Sequence, residues 1–422
     1  MKTRRKMKPS GIPWLGDVPE EWGTSRVGYL LTEINRRSDD GKGEPLSMSQ
    51  KLGIVPSKEI EVANPASSYV GAKIVSAGDL VLNKLKAHLG VFAISKHDGL
   101  VSPDYAVYHA KDNVSVEYLN YVFHTPPCIS EFRRRITGVA VGFNRLYTSD
   151  LFKVVVPFPP LPEQRLIAGF LDGVGARIDG LKAKMACEIE RLEAYKRSFI
   201  AEAVAGRFTG KAKRKMKPSG IPWLGNVPEE WEAVPLYKLV SQVRSPNEGT
   251  KEKNLLSLSY GRIIRKDMET ASGLVPENYS GYNRIEANDI VLRLTDLQND
   301  QKSLRVGLSH ERGIVTSAYL TIRPSEDCCV DFLAYAIKVF DFKKGFYGIG
   351  SGVRQSLKYG EVKKIAMPLP PLAEQREIAA MIDRRIAAID AVIAKRKAER
   401  ERLDALKKSI ICEAVTGRKE IR

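Results

Sequence analysis

Lys6-Met7-Lys8-Pro9-Ser10-Gly11-Ile12-Pro13-Trp14-Leu15-Gly16-Asp17-Val18-Pro19-Glu20-Glu21-Trp22 returns 209 positions later as Lys215 to Trp231, with only Asp17 changed, to Asn226. Chance does not produce such a match, so the chain is a tandem duplication and is read as two copies of one architecture. Val156-Pro157-Phe158-Pro159-Pro160-Leu161-Pro162-Glu163-Gln164-Arg165 aligns with Met367-Pro368-Leu369-Pro370-Pro371-Leu372-Ala373-Glu374-Gln375-Arg376. The stretch from Arg191 to Arg207 likewise aligns with that from Arg402 to Arg418. Between these anchors the copies have diverged. Gly78-Asp79-Leu80-Val81-Leu82 still answers Asn288-Asp289-Ile290-Val291-Leu292. A constant frame around changed inserts fits two copies that recognise different things; neutral drift of two structural copies is the alternative.

The 422 residues suffice for two or three domains with real cores. No apolar run approaches the roughly 20 residues of a membrane helix, and no secretory signal follows the basic start, so a cytoplasmic protein with no membrane association is expected. Five cysteines without Cys-x-x-Cys spacing indicate neither a disulfide framework nor a zinc site. The formal charge of +17 attracts polyanions, nucleic acid first among them.

After each proline cluster the pattern becomes helical. Pro162 fits a first turn, where its missing N–H is no loss, and Glu163 meets the positive end of the helix dipole. Apolar residues then recur at spacings of three and four. Ile167, Leu171, Val174, Ile178, Leu181 and Met185 form one stripe, and Ile378, Ile382, Ile386, Ile389 and Ile393 the other. Gly206 and Gly417 stand where a left-handed C-terminal cap is expected. The two stripes predict helices that pair with each other; packing of each helix on its own domain is the alternative. The resulting fold class is α+β, with two pseudo-two-fold-related α/β modules separated by two long antiparallel coiled-coil-like helices. The segments are 1–156 (lead segment and first module), 157–210 (central helix), 211–367 (repeated lead segment and second module) and 368–422 (C-terminal helix).

Within the modules, Asp79–Leu82 and Asp289–Leu292 read as buried strands, and Tyr118–Phe123 and Phe332–Ile337 as short helices. The loops after the matched strands differ. The first offers Lys84, Lys86 and His88, and the second Arg293, Gln298, Asn299 and Lys302. These side chains carry the donors and acceptors that read base edges, although ordinary surface loops have the same composition. Glycine-rich stretches before each proline cluster add Asn144, Arg145, Arg354 and Gln355. Arg133, Arg134, Arg135, Lys343 and Lys344 just upstream fit phosphate contacts; a solvated helix end is the alternative.

Catalytic chemistry is absent from the pattern. Phe158-Pro159-Pro160-Leu161 and Leu369-Pro370-Pro371-Leu372 have an apolar residue where the Asn/Asp-Pro-Pro-Tyr/Phe motif of amino-methyltransferases needs a polar one. Phe346-Tyr347-Gly348-Ile349-Gly350 resembles a methyl-donor loop, but the first copy lacks it. There is no Walker A segment, and the histidines show no ligand spacing. The chain is therefore expected to bind rather than catalyse, with no catalytic, cofactor-binding or metal-binding residues of its own.

The doubled Pro-Pro-Leu-x-Glu-Gln frame leading into a long helix, with its Ile-Pro-x-x-Trp lead motif, resembles the specificity subunit of type I restriction-modification systems along the whole chain. The resemblance implies two target recognition domains, at 24–155 and 233–366, each reading one half of a split double-stranded DNA sequence. It also implies spacer helices that dock two adenine-N6 methyltransferase subunits, which motor-nuclease subunits join. S-adenosylmethionine, ATP and Mg2+ would belong to those partners. A self-contained DNA modification enzyme and a coiled-coil DNA-binding protein without sequence preference are the rival classes.

Overall fold

The structure is a computed structural model that describes residues 5–50, 52–60, 68–137, 145–208, 214–266, 279–297, 304–349 and 356–421. It divides into two compact units. The first comprises residues 1–185 and 397–422, and the second residues 186–396. Two helices of equal length, Leu161–Val204 and Leu372–Val415, each contribute one part to either unit. Each has 44 residues, or roughly 66 Å at 1.5 Å per residue. They start earlier than the apolar stripe requires, because Leu161 and Leu372 already lie in the first turn and Pro162 is accepted there.

Inside each unit the two helical parts run antiparallel. In the first unit Lys407 reaches Asp179 at 2.8 Å and Lys182 pairs with Asp404. In the second, Lys196 reaches Asp390 at 2.7 Å and Arg396 meets Glu188 at 2.9 Å. Ile167, Leu171, Ile178, Ile378, Ile382, Ile389 and Ile393 are buried, while Val174, Met185 and Ile386 are half-buried. Leu181 departs from the expected stripe: it is 47% exposed. Four-residue spacing from Ile178 leads to Lys182, and this half-buried side chain takes the inward place because its amine can reach Asp404.

The first unit carries a four-stranded antiparallel sheet in the order Leu31–Ile34, Tyr105–Ala110, Leu80–Asn83, Phe92–Ile94. The second repeats it as Val240–Val243, Leu320–Pro324, Ile290–Leu292, Val306–Leu308. The matched central strands are buried because both of their faces are covered. The aspartate before each strand is structural. Asp79 accepts from the backbone N–H of Ser76 (2.9 Å) and faces His109 (3.0 Å). Asp289 accepts from Glu286 (2.8 Å) and holds Arg323 through two bonds, of 2.7 and 2.8 Å. Helix Val116–Phe123 covers the first sheet, and Val330–Phe342 the second.

The proline clusters follow short strands. Val155–Phe158 pairs with Gly23–Arg26, and Ala366–Leu369 with Glu232–Pro235. These are two-stranded ribbons, where a missing N–H is tolerated.

The Pro-Pro-Leu-x-Glu-Gln frame owes its form to tertiary bonds. Glu163 accepts the indole N–H of buried Trp22 at 2.8 Å and pairs with Arg5 at 2.8 Å. Glu374 accepts from Trp231 at 3.2 Å and pairs with Arg214. Each arginine also lies over its tryptophan ring, at 5.3 and 5.9 Å from the centroid. Carboxylate pairing holds both guanidinium groups above their ordinary range; burial opposes this in each and is the largest single influence on Arg5. Gln164 accepts from Ser115 N–H and donates to the Pro159 carbonyl, both at 2.8 Å. Gln375 accepts from Cys329 N–H (2.9 Å) and donates to the Pro370 carbonyl (2.8 Å). The Glu-Gln pair thus joins the lead segment, the module's helix and the start of the long helix.

Candidate nucleic-acid interface

The loop after the first central strand turns on Asn83, whose side-chain oxygen accepts from the N–H groups of Leu85 (3.1 Å) and Lys86 (3.3 Å). The turn projects Lys86 into solvent. Lys84 is half-buried, 4.0 Å from Glu33. Arg133 donates to the carbonyl of His88 at 3.1 Å, which ties helix Pro126–Arg135 to the loop. The loop is also joined to the residues that follow the glycine-rich stretch, because Leu146 N–H donates to the Lys84 carbonyl at 3.0 Å. The second copy makes the matching bond: Leu357 N–H donates to the Leu294 carbonyl at 3.0 Å. In both modules, therefore, the loop after the central strand meets the residue just beyond the glycine-rich stretch, through equivalent backbone atoms.

The remaining candidates divide by their partners. Arg135 forms two bonds with Glu131, at 2.9 and 2.7 Å, and Arg134 lies 3.7 Å from the same carboxylate while 70% exposed. Arg145 pairs with Asp104 at 3.3 Å. Lys343 is exposed, and Lys344 stands over the Tyr347 ring at 4.8 Å. Arg293 is half-buried, with its backbone in the ladder to Arg305 (2.9 Å). Asn144, Gln298, Asn299, Lys302, Arg354 and Gln355 lie outside the described residues.

Sequence reading missed Arg305. Its side chain is fully buried, and its donors serve the loop that carries Arg293. The signal was an arginine heading the short apolar strand Val306–Leu308, aligned with Val91 in the first copy. Arg5 and Arg214 lie in the basic runs Lys2–Lys8 and Lys211–Lys217, which read as solvated linkers brushing phosphates, and Gln164 and Gln375 read only as part of the proline frame; the structure gives all four partners far away in sequence.

The second unit further holds a cavity of about 360 Å3, among whose lining residues are Lys338, Tyr335, Asp383 and Lys196. Tyr335 donates to Asp383 at 2.5 Å, as Tyr121 does to Asp172 at 2.6 Å in the first unit. Burial holds the Lys338 amine below its usual range and, with the carboxylate, pushes both phenols up. Among the described residues no group of three His, Cys, Asp or Glu side chains is placed to hold a metal ion, and no helix is long and apolar enough to cross a membrane.

Fold and frame define a duplicated α+β protein with long paired helices and basic loops at matched positions in two sheets. The profile of the type I restriction modification DNA specificity domain matches residues 19–191 and 249–402. The chain belongs to this family, that of type I restriction-modification specificity subunits. It is 25% identical to the type I restriction enzyme MjaVIII specificity subunit of Methanocaldococcus jannaschii, over 95% of this chain and 93% of that one. It is 22% identical to the EcoBI specificity subunit of Escherichia coli, over 70% and 65% respectively. A solved structure described as the structural basis of complex assembly and conformational transition of the type I R-M system shares the fold. It has a TM-score of 0.67 and 14% identity, covering 94% of this chain and 98% of that one.

Proposed function

We propose that this chain gives a type I restriction-modification complex its DNA sequence specificity, each recognition module reading one half of a bipartite target. One observation carries the reading: a single frame, locked by Trp22–Glu163 and again by Trp231–Glu374, is built twice around loops of different sequence. A protein that needs two stable copies of one scaffold and two different surfaces is suited to reading two different half-sites. The long helices act as the spacer and as the docking surface for two adenine-N6 methyltransferase subunits, with motor-nuclease subunits joining for restriction. Half-sites one turn of DNA apart are separated by about 34 Å, a span that a helix of roughly 66 Å can bridge.

The chain itself is a binding subunit. Methyl transfer, which requires a flipped adenine, takes place on the methyltransferase partners. S-adenosylmethionine, ATP and Mg2+ belong to the partners as well. Supporting this division, the residue before each Pro-Pro pair is Phe158 or Leu369, neither able to hold a target amine.

The test is to map methylated adenines across the genome of cells carrying the complete complex, with and without this gene. A split, asymmetric motif that disappears on deletion is expected. Methylation that persists unchanged, or that ignores sequence, would refute the reading.

A further inference from the structure

We propose that Arg305 is the positioning residue of the second recognition module, its buried guanidinium fixing the backbone of residues 293–296 in the shape that meets DNA. The proposal rests on the reading of that module as a half-site reader. Arg305 Nη1 donates to the carbonyls of Arg293 (3.1 Å) and Thr295 (3.0 Å), and Nη2 to that of Asp296 (3.4 Å). Nε donates to the Tyr347 hydroxyl at 3.0 Å, and the guanidinium carbon lies 5.3 Å from that ring's centroid. The backbone N–H donates to Asp341 at 2.7 Å. A side chain fully buried in this way cannot itself touch DNA. An arginine's rigid fork of donors is suited to clamping several carbonyls at once, and one of those carbonyls belongs to Asp296, whose φ of +56° lies in the left-handed region that is uncommon outside glycine.

The first module solves the same problem differently. Its ladder bond from Asn83 to Val91 (3.1 Å) matches that from Arg293 to Arg305 (2.9 Å), so Val91 stands where Arg305 does. Val91 has no donors to offer, and the first loop is instead shaped by the Asn83 side chain and the turn Ala87–Leu89. The difference between the readers therefore extends below their surfaces. Arg305 also couples the loop to the helix end at Asp341 and to the turn Gly345–Gly348 that leads into the glycine-rich stretch.

The experiment maps methylated adenines in cells carrying the complete complex with wild-type chain, Arg305→Met, Arg305→Lys or Tyr347→Phe. In Arg305→Met the half-site read by the first module should keep its stringency, while discrimination at one or more positions of the other half falls about tenfold or more, the scale of losing one well-placed base contact. Arg305→Lys keeps a donor and should restore part of the loss, and Tyr347→Phe should loosen the same positions by a smaller factor. Unchanged stringency in both Arg305→Met and Tyr347→Phe overturns the proposal. So does loss of methylation at all sites in Arg305→Met without rescue by Arg305→Lys, which assigns the residue to folding alone. A wild-type chain that defines no split motif removes the underlying reading, and this proposal with it.

Discussion

The indole N–H of Trp22 donates to Glu163 at 2.8 Å, binding two residues separated by 141 positions of chain. The bond joins the two most constant segments of the repeat, and Arg5 closes it from the other side. Glu163→Ala leaves a buried indole donor unsatisfied and takes one of two carboxylate partners from Arg5, which keeps Glu21, so a loss of about 1–3 kcal/mol in the first unit is expected. Urea unfolding of the full chain, followed by hydrogen exchange in segments 15–31 and 410–418, reads it. Unaltered protection there would show that the bond contributes nothing.

Two glycines at the ends of the long helices test how those ends dock. Gly417 and Gly206 have φ of +71° and +75°, and a Cβ on them would collide with Pro19 and with Pro228, the latter at 2.7 Å. Gly11 and Gly220 have φ of +71° and +69° but open space around them. Alanine at Gly11 or Gly220 should cost only about 1–2 kcal/mol for the left-handed conformation. Alanine at Gly206 or Gly417 should cost appreciably more, by a further ~1–3 kcal/mol of overpacking. Melting temperatures of the four variants decide it; four equal shifts would mean that the helix ends are not packed as described.

Much of this architecture could be read from the residues. The repeat, the buried central strands, the helical stripes and the glycine caps are all local periodicities or direct matches, and local patterns survive in a linear sequence. What escaped is long-range. Pro-Pro-Leu-x-Glu-Gln reads as a helix start, but nothing in its spacing says that Glu163 answers Trp22 or that Gln164 answers Ser115. Leu181 follows the apolar spacing yet faces solvent, since the partner helix offers Asp404 to Lys182. The arginine triplet looks like one phosphate patch, but Glu131 and the His88 carbonyl occupy much of it. The purpose of Arg305 was hidden for the same reason: a charged residue heading a strand stands out in the sequence, but shows what it does only when the carbonyls around it are in place.

Asp341 supplies a pH dependence. Burial is the main cause that pushes its carboxyl up from the ordinary 3.8 to about 6, against the Arg305 N–H bond that pulls it down. A carboxyl whose value is raised on folding favours the fold fully below 3.8, and this contribution is lost as pH rises through about 6. Asp341→Asn removes the titration, so its stability advantage over wild type should grow between those values and level off above them. The maximum is on the order of 3 kcal/mol, from roughly two pK units. Paired denaturation curves across that pH range measure it. A difference that does not change with pH would contradict the assignment.

The helix pair should draw its stability from apolar burial rather than from its ion pairs. Ile393 is 4% exposed, and Ile393→Ala should cost about 2–4 kcal/mol. A double-mutant cycle on Lys196 and Asp390, whose side chains are 17% and 30% exposed, should return no more than about 1 kcal/mol. A coupling larger than the isoleucine loss would reverse this ranking.

The most direct measurement exchanges residues 24–155 for the corresponding module of another specificity subunit and maps methylated adenines in cells carrying the otherwise complete complex. The expected result is a split motif in which one half changes while the other half keeps its bases. Replacement of both halves together, or survival of the original motif intact, would contradict the assignment of one half-site to each copy of the repeat.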